Sequence, residues 1–511
     1  MSPVTEGQRK LITAGIMLAT VMGSLDTTVV NVSLPHMQGS LSASPEQITW
    51  VLTSYMVASA VMVPISGWLA MRIGMKFMLL TAVAGFTLTS VMCGIATSLP
   101  EMVIFRMLQG VMAAPLAPLA QAVLLNINPP ERYGRAMALF TMGAMAAPVV
   151  GPVVGGYLTD DLSWRWCFYI NLPVGIASML LLWAFMPREA PKPRQFDFLG
   201  FGALAVAVAS FQLMMDRGPS QDWLASREIC VEAVLAAVGL WVFVTHSLTA
   251  KHPLFDPALA KDRNFVATTI FTFFFSLVLF SSVALVPLLM QSVLGYPVLL
   301  AGIYSMPRGV LMMAVLQVMG RADTMLDRRL ILAIGMGFIV FAFWRMSQFD
   351  LMMGPSTLIS ATLFQGVGQG VCSVALTTLA FATLNPALRA EASSLSNLMR
   401  FMGGSIGVAL MQALTASSGQ RAHAAFVTSI TPGDPVVIAA LPAQFSPDTV
   451  QGVLALNGEI TRQAMMMAYL QDFRVMALLG LVTLPLLLLM RPPRRSAIGD
   501  GEPAPVDAHA A

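Results

Sequence analysis

The stretch LITAGIMLATVMGSLDTTVVNVSLP (residues 11–35) sets one carboxylate, Asp26, inside a run of apolar and small residues. About 20 such residues suffice to span a bilayer as a helix. A charged carboxylate at that depth costs several kcal/mol, so acids there are rare and mark functional positions. An acid that can take up and release a proton inside a membrane is the minimum part of a proton-driven machine.

The whole chain agrees with a membrane setting. Of its 511 residues 56% are hydrophobic and 11% charged, whereas soluble proteins carry about 25% charged residues. The net charge of +3 is small and says little about partners. Cys93, Cys167, Cys230 and Cys372 are scattered along apolar runs with no CxxC or Cys/His cluster. They read as packing residues, with no metal site implied. Arg9 and Lys10 precede an apolar run too long for the core of a signal peptide, so this run reads as a retained first span.

Runs of spanning length fall near 11–34, 48–71, 76–98, 101–124, 136–159, 168–186, 198–215 and 228–248. Others fall near 265–290, 299–319, 330–347, 355–383, 392–416 and 470–490. These predict an all-α membrane protein with fourteen spans. The alternating ten-residue segments of a membrane barrel do not occur. With a cytoplasmic N-terminus, nineteen Lys and Arg fall in cytoplasmic segments. Only seven fall in the opposite loops: Arg165, Arg217, Arg227, Arg345, Arg421, Arg462 and Arg474. Both termini are therefore expected in the cytoplasm. Arg106, Arg308 and Arg400 lie inside spans.

Residues 187–197 (PREAPKPRQFD) read as a basic, Pro-rich linker, and 417–468 as a long outside loop with turn signals at TPGDP (431–435) and SPD (446–448). The Gly/Pro/Ala-rich tail is expected to be disordered. GWLAMRIGMK (67–76) is echoed by GRADTMLDRR (320–329), and LQGV (108–111) by FQGV (364–367), at offsets of 253 and 256 residues. Such offsets suit two six-helix halves, 1–186 and 251–490, with a linker and two inserted helices at 187–250 and a tail at 491–511.

Taken together, LDTTVVNVSLP (25–35), GWLAMRIGMK (67–76), IFRMLQGVMAA (104–114) and GAMAAPVVGPVVGG (143–156) resemble the major facilitator superfamily. Within it the chain is similar to the fourteen-helix drug:H⁺ antiporters of the EmrB/QacA type. WRWCFYINLPVG (164–175) and MMDRGPSQDW (214–223) resemble the EmrB branch in particular. The resemblance covers the chain to about residue 490. It departs at Met71, where the loop motif usually has an Asp, and at Arg308, for which the family suggests no role.

With Asp26 about nine residues from the outer end of its span, its depth is roughly 13 Å; Arg106 lies roughly 8 Å deep by the same helical rise. The two can face one cavity. Burial favours a neutral carboxyl and a nearby guanidinium favours a charged one, so small changes in hydration or distance can load or release a proton. The resemblance implicates both positions in proton coupling; the alternative is a static buried ion pair. Gly143, Gly151 and Gly155 share a face beside Pro152 and Gly156, which permits close helix packing and a bend. Their use in gating follows from the resemblance alone. Gly67, Arg72, Gly74 and Lys76 form a turn that serves as a topology signal and, by resemblance, a gate latch.

Thr27, Asn31, Tyr55, Phe274, Gln365 and Arg400 are candidate lining residues of a substrate cavity. For Asn31 a helix–helix hydrogen bond is the alternative, and for Arg400 snorkelling to the interface. Asp216 and Arg217 read as a helix-terminal cap. The 38 methionines suit either an adaptable pocket or simple gap filling.

The expected function is a proton-coupled multidrug efflux antiporter of the bacterial inner membrane, exporting amphipathic or hydrophobic compounds. No GxxxxGK[ST] stretch is present, so the energy source is expected to be the proton gradient, with no cofactor and no enzymatic activity. The resemblance further implies a periplasmic adaptor and an outer-membrane channel as partners, with no nucleic acid. A proton-coupled exporter of a particular natural product (a fatty acid, siderophore or lipid) stands as the alternative on the same fold. A passive channel or membrane-embedded enzyme is the alternative of another class.

Overall fold

The computed structural model describes residues 5–129, 132–188, 195–322, 327–429, 442–445 and 449–490. The tail beyond 490, both turn signals of the 417–468 stretch and most of the basic linker lie outside the described residues.

Thr5 starts the first helix with a capping box, its hydroxyl accepting from Gln8 N while Gln8 Oε1 accepts from Thr5 N. That helix, α1, runs Glu6–Ser40. It is followed by α2 (Trp50–Ile73), α3 (Met75–Ile95), α4 (Leu99–Ile127), α5 (Tyr133–Tyr157), α6 (Trp166–Phe185), α7 (Phe198–Arg217) and α8 (Arg227–Thr249). The remainder comprises α9 (Arg263–Ser292), α10 (Val298–Ala322), α11 (Arg328–Met346), α12 (Pro355–Ala382), α13 (Arg389–Ser429) and α14 (Val450–Thr483). Helix α4 breaks its regular path at Ala114 and Pro115, where proline withholds an N–H donor. Gly74 joins α2 to α3 at φ 91, a backbone angle glycine adopts without steric cost.

Among the described residues, fourteen long helices are present, and twelve of them are long and apolar enough to cross a membrane by length and composition. Their outward faces carry large apolar side chains such as Phe77, Leu88, Trp183, Trp241 and Val482. In a membrane protein such residues meet lipid rather than water.

One buried cluster draws chiefly on α1 to α6, with Ile16, Phe86, Leu119 and Phe140 in it. A second draws on α9 to α14, with Phe271, Met336, Leu379 and Phe473. The wide seams between these groups are α5 against α10 and α2 against α13. Helices α7 and α8 pack on each other, and α7 leans on α2.

Two expectations need correction. The first span does not end near residue 34: α1 continues through Pro35 to Ser40, so Asp26 stands fourteen residues from its end, near mid-helix. Much of the 417–468 stretch is helix, not loop, because α13 reaches Ser429 and α14 begins at Val450. A helix outside the apolar layer needs no apolar run. These two extensions support each other, with His423 Nε2 and Asn457 Oδ1 3.0 Å apart.

Candidate functional site

Asp26 and Arg106 are both fully buried, and Arg106 Nη1 donates to Asp26 Oδ2 at 2.6 Å. The pair joins α1 to α4. The same nitrogen donates to Gln109 Oε1 at 2.7 Å, and Gln109 Nε2 donates to Asp26 Oδ1 at 2.9 Å. Asn171 Nδ2 of α6 donates to that oxygen at 2.9 Å and also to Ser90 Oγ of α3 at 2.9 Å. Arg106 Nε donates to the Val51 carbonyl at 3.0 Å, and its guanidinium lies 4.3 Å from the centre of the Tyr55 ring, both on α2. The carboxylate on α1 is thus linked to α4 and α6 directly, and through Arg106 and Asn171 to α2 and α3.

This arrangement couples charge to packing. The carboxylate charge of Asp26 holds Arg106 at 2.6 Å. Charge-assisted hydrogen bonds are the stronger kind, so the pair ties α4 to α1. Arg106 Nη2, also buried, has no hydrogen-bond partner among the described residues.

Of the expected lining residues, Tyr55 belongs to this cluster, as the ring against Arg106. Thr27 and Asn31 lie one and five residues further along α1; Thr27 bonds back to Ser24 O, and Asn31 is exposed. Phe274 packs edge-on to Phe273. Gln365 is fully buried in the other helix group, where it accepts from Arg308 Nη1 at 3.3 Å and donates to Ser282 Oγ at 2.6 Å. Arg400 is partly exposed on α13. The cavity candidates therefore do not gather in one cluster.

The α5 glycines do face one partner, α1. A Cβ on Gly143 would meet Met17, one on Gly151 would meet Thr28, and one on Gly155 would lie 3.1 Å from Val29 Cα. Gly156 faces open space. The side chain of Pro152 lies outside the described residues.

The Gly67–Lys76 turn is divided in its contacts. A Cβ on Gly67 would lie 2.9 Å from Glu391 Cα, so only glycine lets α2 approach the start of α13 this closely. Arg72 stacks on Trp68 at 5.3 Å. Lys76 Nζ instead donates to the Trp183 and Met186 carbonyls at the end of α6. Asp216 and Arg217 do not cap their helix. Asp216 accepts from Thr53 of α2, and Arg217 pairs with Glu228 and Glu232 of α8.

Sequence reasoning missed several residues. Gln109 and Asn171 hold Asp26 but are neutral amides, whose type alone signals nothing. At the Gly67 end, Arg389 of α13 donates to the Leu125 carbonyl, to Asn126 Oδ1 and to the Tyr133 hydroxyl, joining the two helix groups. Ser393 and Asn397 add hydrogen bonds to Gln121, and Ser66 meets Ser394. Asp472 of α14 is a second fully buried acid, held by the Thr415 hydroxyl.

A bundle of apolar helices with a carboxylate–guanidinium pair locked among them has the build of a polytopic membrane transporter. The family model of the Major Facilitator Superfamily matches residues 16–408, and the chain belongs to that superfamily. It is 35% identical over 492 residues to the fatty acid resistance protein FarB of Neisseria gonorrhoeae, covering 96% of this chain and 97% of that one. It is 34% identical over 506 residues to the multidrug export protein EmrB of Escherichia coli K12, covering 98% of both.

Among solved structures, the human organic anion transporter MFSD10 (TETRAN) matches with a TM-score of 0.64 at 12% identity, covering 94% of this chain and 99% of that one. The proton:xylose symporter XylE matches at 0.59 and 12%, covering 92% and 95%. At that identity the likeness establishes the fold. The chain is a multi-pass membrane transporter of small molecules rather than an enzyme, and its sequence similarity runs to the EmrB-type proteins.

Proposed function

We propose that the chain is a secondary active transporter, a proton-coupled antiporter that exports amphipathic or hydrophobic drug-like compounds across the bacterial inner membrane. The observation that carries this reading is Asp26: an acid at mid-helix, fully buried, tied through Arg106, Gln109 and Asn171 to the surrounding helices. The name of the EmrB relative, a multidrug export protein, supports the substrate class. The proton gradient supplies the energy, with no cofactor.

In this mechanism protonation of Asp26 frees Arg106, and the loosened α1–α4 contact favours the exchange of open ends. Substrate binding must differ in strength between the two protonation states, since only a differential interaction shifts such an equilibrium. The Lys/Arg distribution supports a cytoplasmic position for both termini. The end latched by Arg389 is then the cytoplasmic one. A periplasmic adaptor and outer-membrane channel are partners by similarity, and the helical extensions of α13 and α14 beyond the bundle offer them a surface.

The test is substrate-induced proton release in inverted vesicles carrying Asp26→Asn. The expected result is loss of proton release in a folded protein. Unchanged proton release would overturn the reading. A second reading, export of a specific fatty acid on the same fold, is favoured by the similarity to FarB. A transport panel of dyes, antibiotics and fatty acids separates the two.

A further inference from the structure

Arg308 of α10 and Arg400 of α13 are arginines well inside their helices that the Asp26 cluster does not use. Arg308 has one hydrogen bond, to the neutral Gln365 Oε1 at 3.3 Å, and Arg400 has none, so neither meets an acid among the described residues. Both remain partly accessible. An ionised group held away from bulk water without an opposite charge is costly, and inside membrane proteins such groups face cavities on substrate paths.

The helix faces show where these two point. Ile303 and Val310, 44% and 61% exposed, mark the outward face of α10. Arg308 is two residues from Val310 and so about 160° away around the helix. Its own side continues through Met312 and Leu316, which are buried with Ala138 of α5 and Val374 of α12. Arg308 therefore looks inward, along the seam between the two helix groups. On α13, Arg400 follows Ser393 by seven residues and Asn397 by three, the same side of the helix. Ser393 and Asn397 both bond Gln121 of α4, so Arg400 also looks across to the first group.

Depths agree as well. Arg308 is ten residues from the start of α10, roughly 15 Å along the axis, and Arg400 is eleven from the start of α13, roughly 16 Å from the opposite end. Both lie near the middle of the bundle.

We infer that Arg308 and Arg400 form an anion-accepting wall of the substrate passage, and that the transporter takes amphiphiles bearing a carboxylate. This rests on the reading of the chain as an exporter whose substrate occupies that passage. A guanidinium offers a planar fork of donors that matches a carboxylate. Gln365, anchored on Ser282 of α9, holds Arg308 without neutralising it. The Asp26 carboxylate does not compete, because Arg106 already occupies it.

The experiment measures binding by calorimetry to the full chain in lipid nanodiscs at neutral pH. The probes are dodecanoate, its methyl ester and dodecyltrimethylammonium. The wild type is expected to bind dodecanoate at least about tenfold more tightly than the ester, the scale of one charged hydrogen-bonded contact. Arg308→Gln and Arg400→Gln should each lower that ratio about tenfold, with Arg308→Lys falling between. Ester binding serves as the check on folding. A ratio unchanged in the double variant, a wild type that prefers the ammonium probe, or one that does not bind dodecanoate would each overturn the inference. The antiport reading fails separately. Proton release that survives Asp26→Asn sinks it and leaves a carboxylate preference standing, whereas loss of that preference leaves proton coupling untouched.

Discussion

Arg389 donates to the hydroxyl of Tyr133 at 2.6 Å, across the seam between the two helix groups. The same guanidinium reaches the Leu125 carbonyl and Asn126 Oδ1 at 3.1 Å each and stacks 5.2 Å from the Tyr133 ring. One side chain therefore satisfies carbonyls at the end of α4 and pins α5 while belonging to α13. It makes three hydrogen bonds between the groups at this end of the bundle.

Arg389→Ala should release that link. Hydrogen bonds to charged groups contribute about 1.5–3 kcal/mol each, so losing several should shift the open–closed balance by at least about tenfold. Spin labels at Asn128 and Asn385, read by electron–electron distance measurement, should show a longer or broader distribution than in the wild type. An unchanged distribution would show that the seams α2–α13 and α5–α10 hold this end closed without Arg389.

Arg106→Lys should fail to restore the Asp26 cluster. Arg106 uses Nη1 for Asp26 and Gln109 and Nε for Val51 O, a fork that a single ammonium cannot reproduce. Removing one partner of a buried pair costs about 3–5 kcal/mol, and Lys should recover only part of that. Thermal unfolding in detergent should place Arg106→Lys between Arg106→Ala and wild type, with substrate-induced proton release lost in both variants.

Glycine substitutions separate close contact from open space. A Cβ on Gly110 would lie 2.4 Å from the Tyr55 carbonyl oxygen, and one on Gly366 would lie 2.5 Å from that of Arg308. Alanine at either should destabilise by about 1–3 kcal/mol, because backbone must move. Gly156→Ala has nothing within 4 Å and should be near neutral. Unfolding midpoints of the three variants decide this, and a Gly156→Ala loss as large as the others would contradict it.

Asp197→Ala should loosen the inserted pair of helices without touching proton coupling. Asp197 caps α7 through Gly200 N at 2.8 Å, accepts from Leu254 N at 3.1 Å and meets His246 Nε2 of α8 at 2.8 Å. Loss of the cap alone costs about 1 kcal/mol. Protease nicking near residues 217–226 should rise, while substrate-induced proton release stays at the wild-type level.

The internal repeat gains a physical meaning in three dimensions. Gln109 donates to Asp26 in the first group, and Gln365 donates to Ser282 in the second, 256 residues further on at both ends of the bond. The close approach of Gly110 to Tyr55 O recurs as Gly366 to Arg308 O. The sequence echo LQGV and FQGV therefore marks one packing solution used twice. The acid occurs in the first copy alone, Ser282 standing where the second would have it.

Apolar run lengths marked the order of the long helices, twelve of which are long and apolar enough to cross a membrane, because a bilayer demands such runs wherever backbone crosses it. They also singled out Asp26, Arg106, Arg308 and Arg400, since a charge in an apolar run is conspicuous in one dimension. Run length could not show that α1 reaches Ser40 or that α13 and α14 continue as helix beyond the layer, where polar residues are tolerated. Nor could it show that Gln109 and Asn171 complete the Asp26 cluster, or that Arg389 closes the seam. Neutral amides and terminal arginines are common; only tertiary packing decides which of them meet a partner, because hydrogen bonding needs a few ångströms of approach that distant sequence positions do not encode one by one.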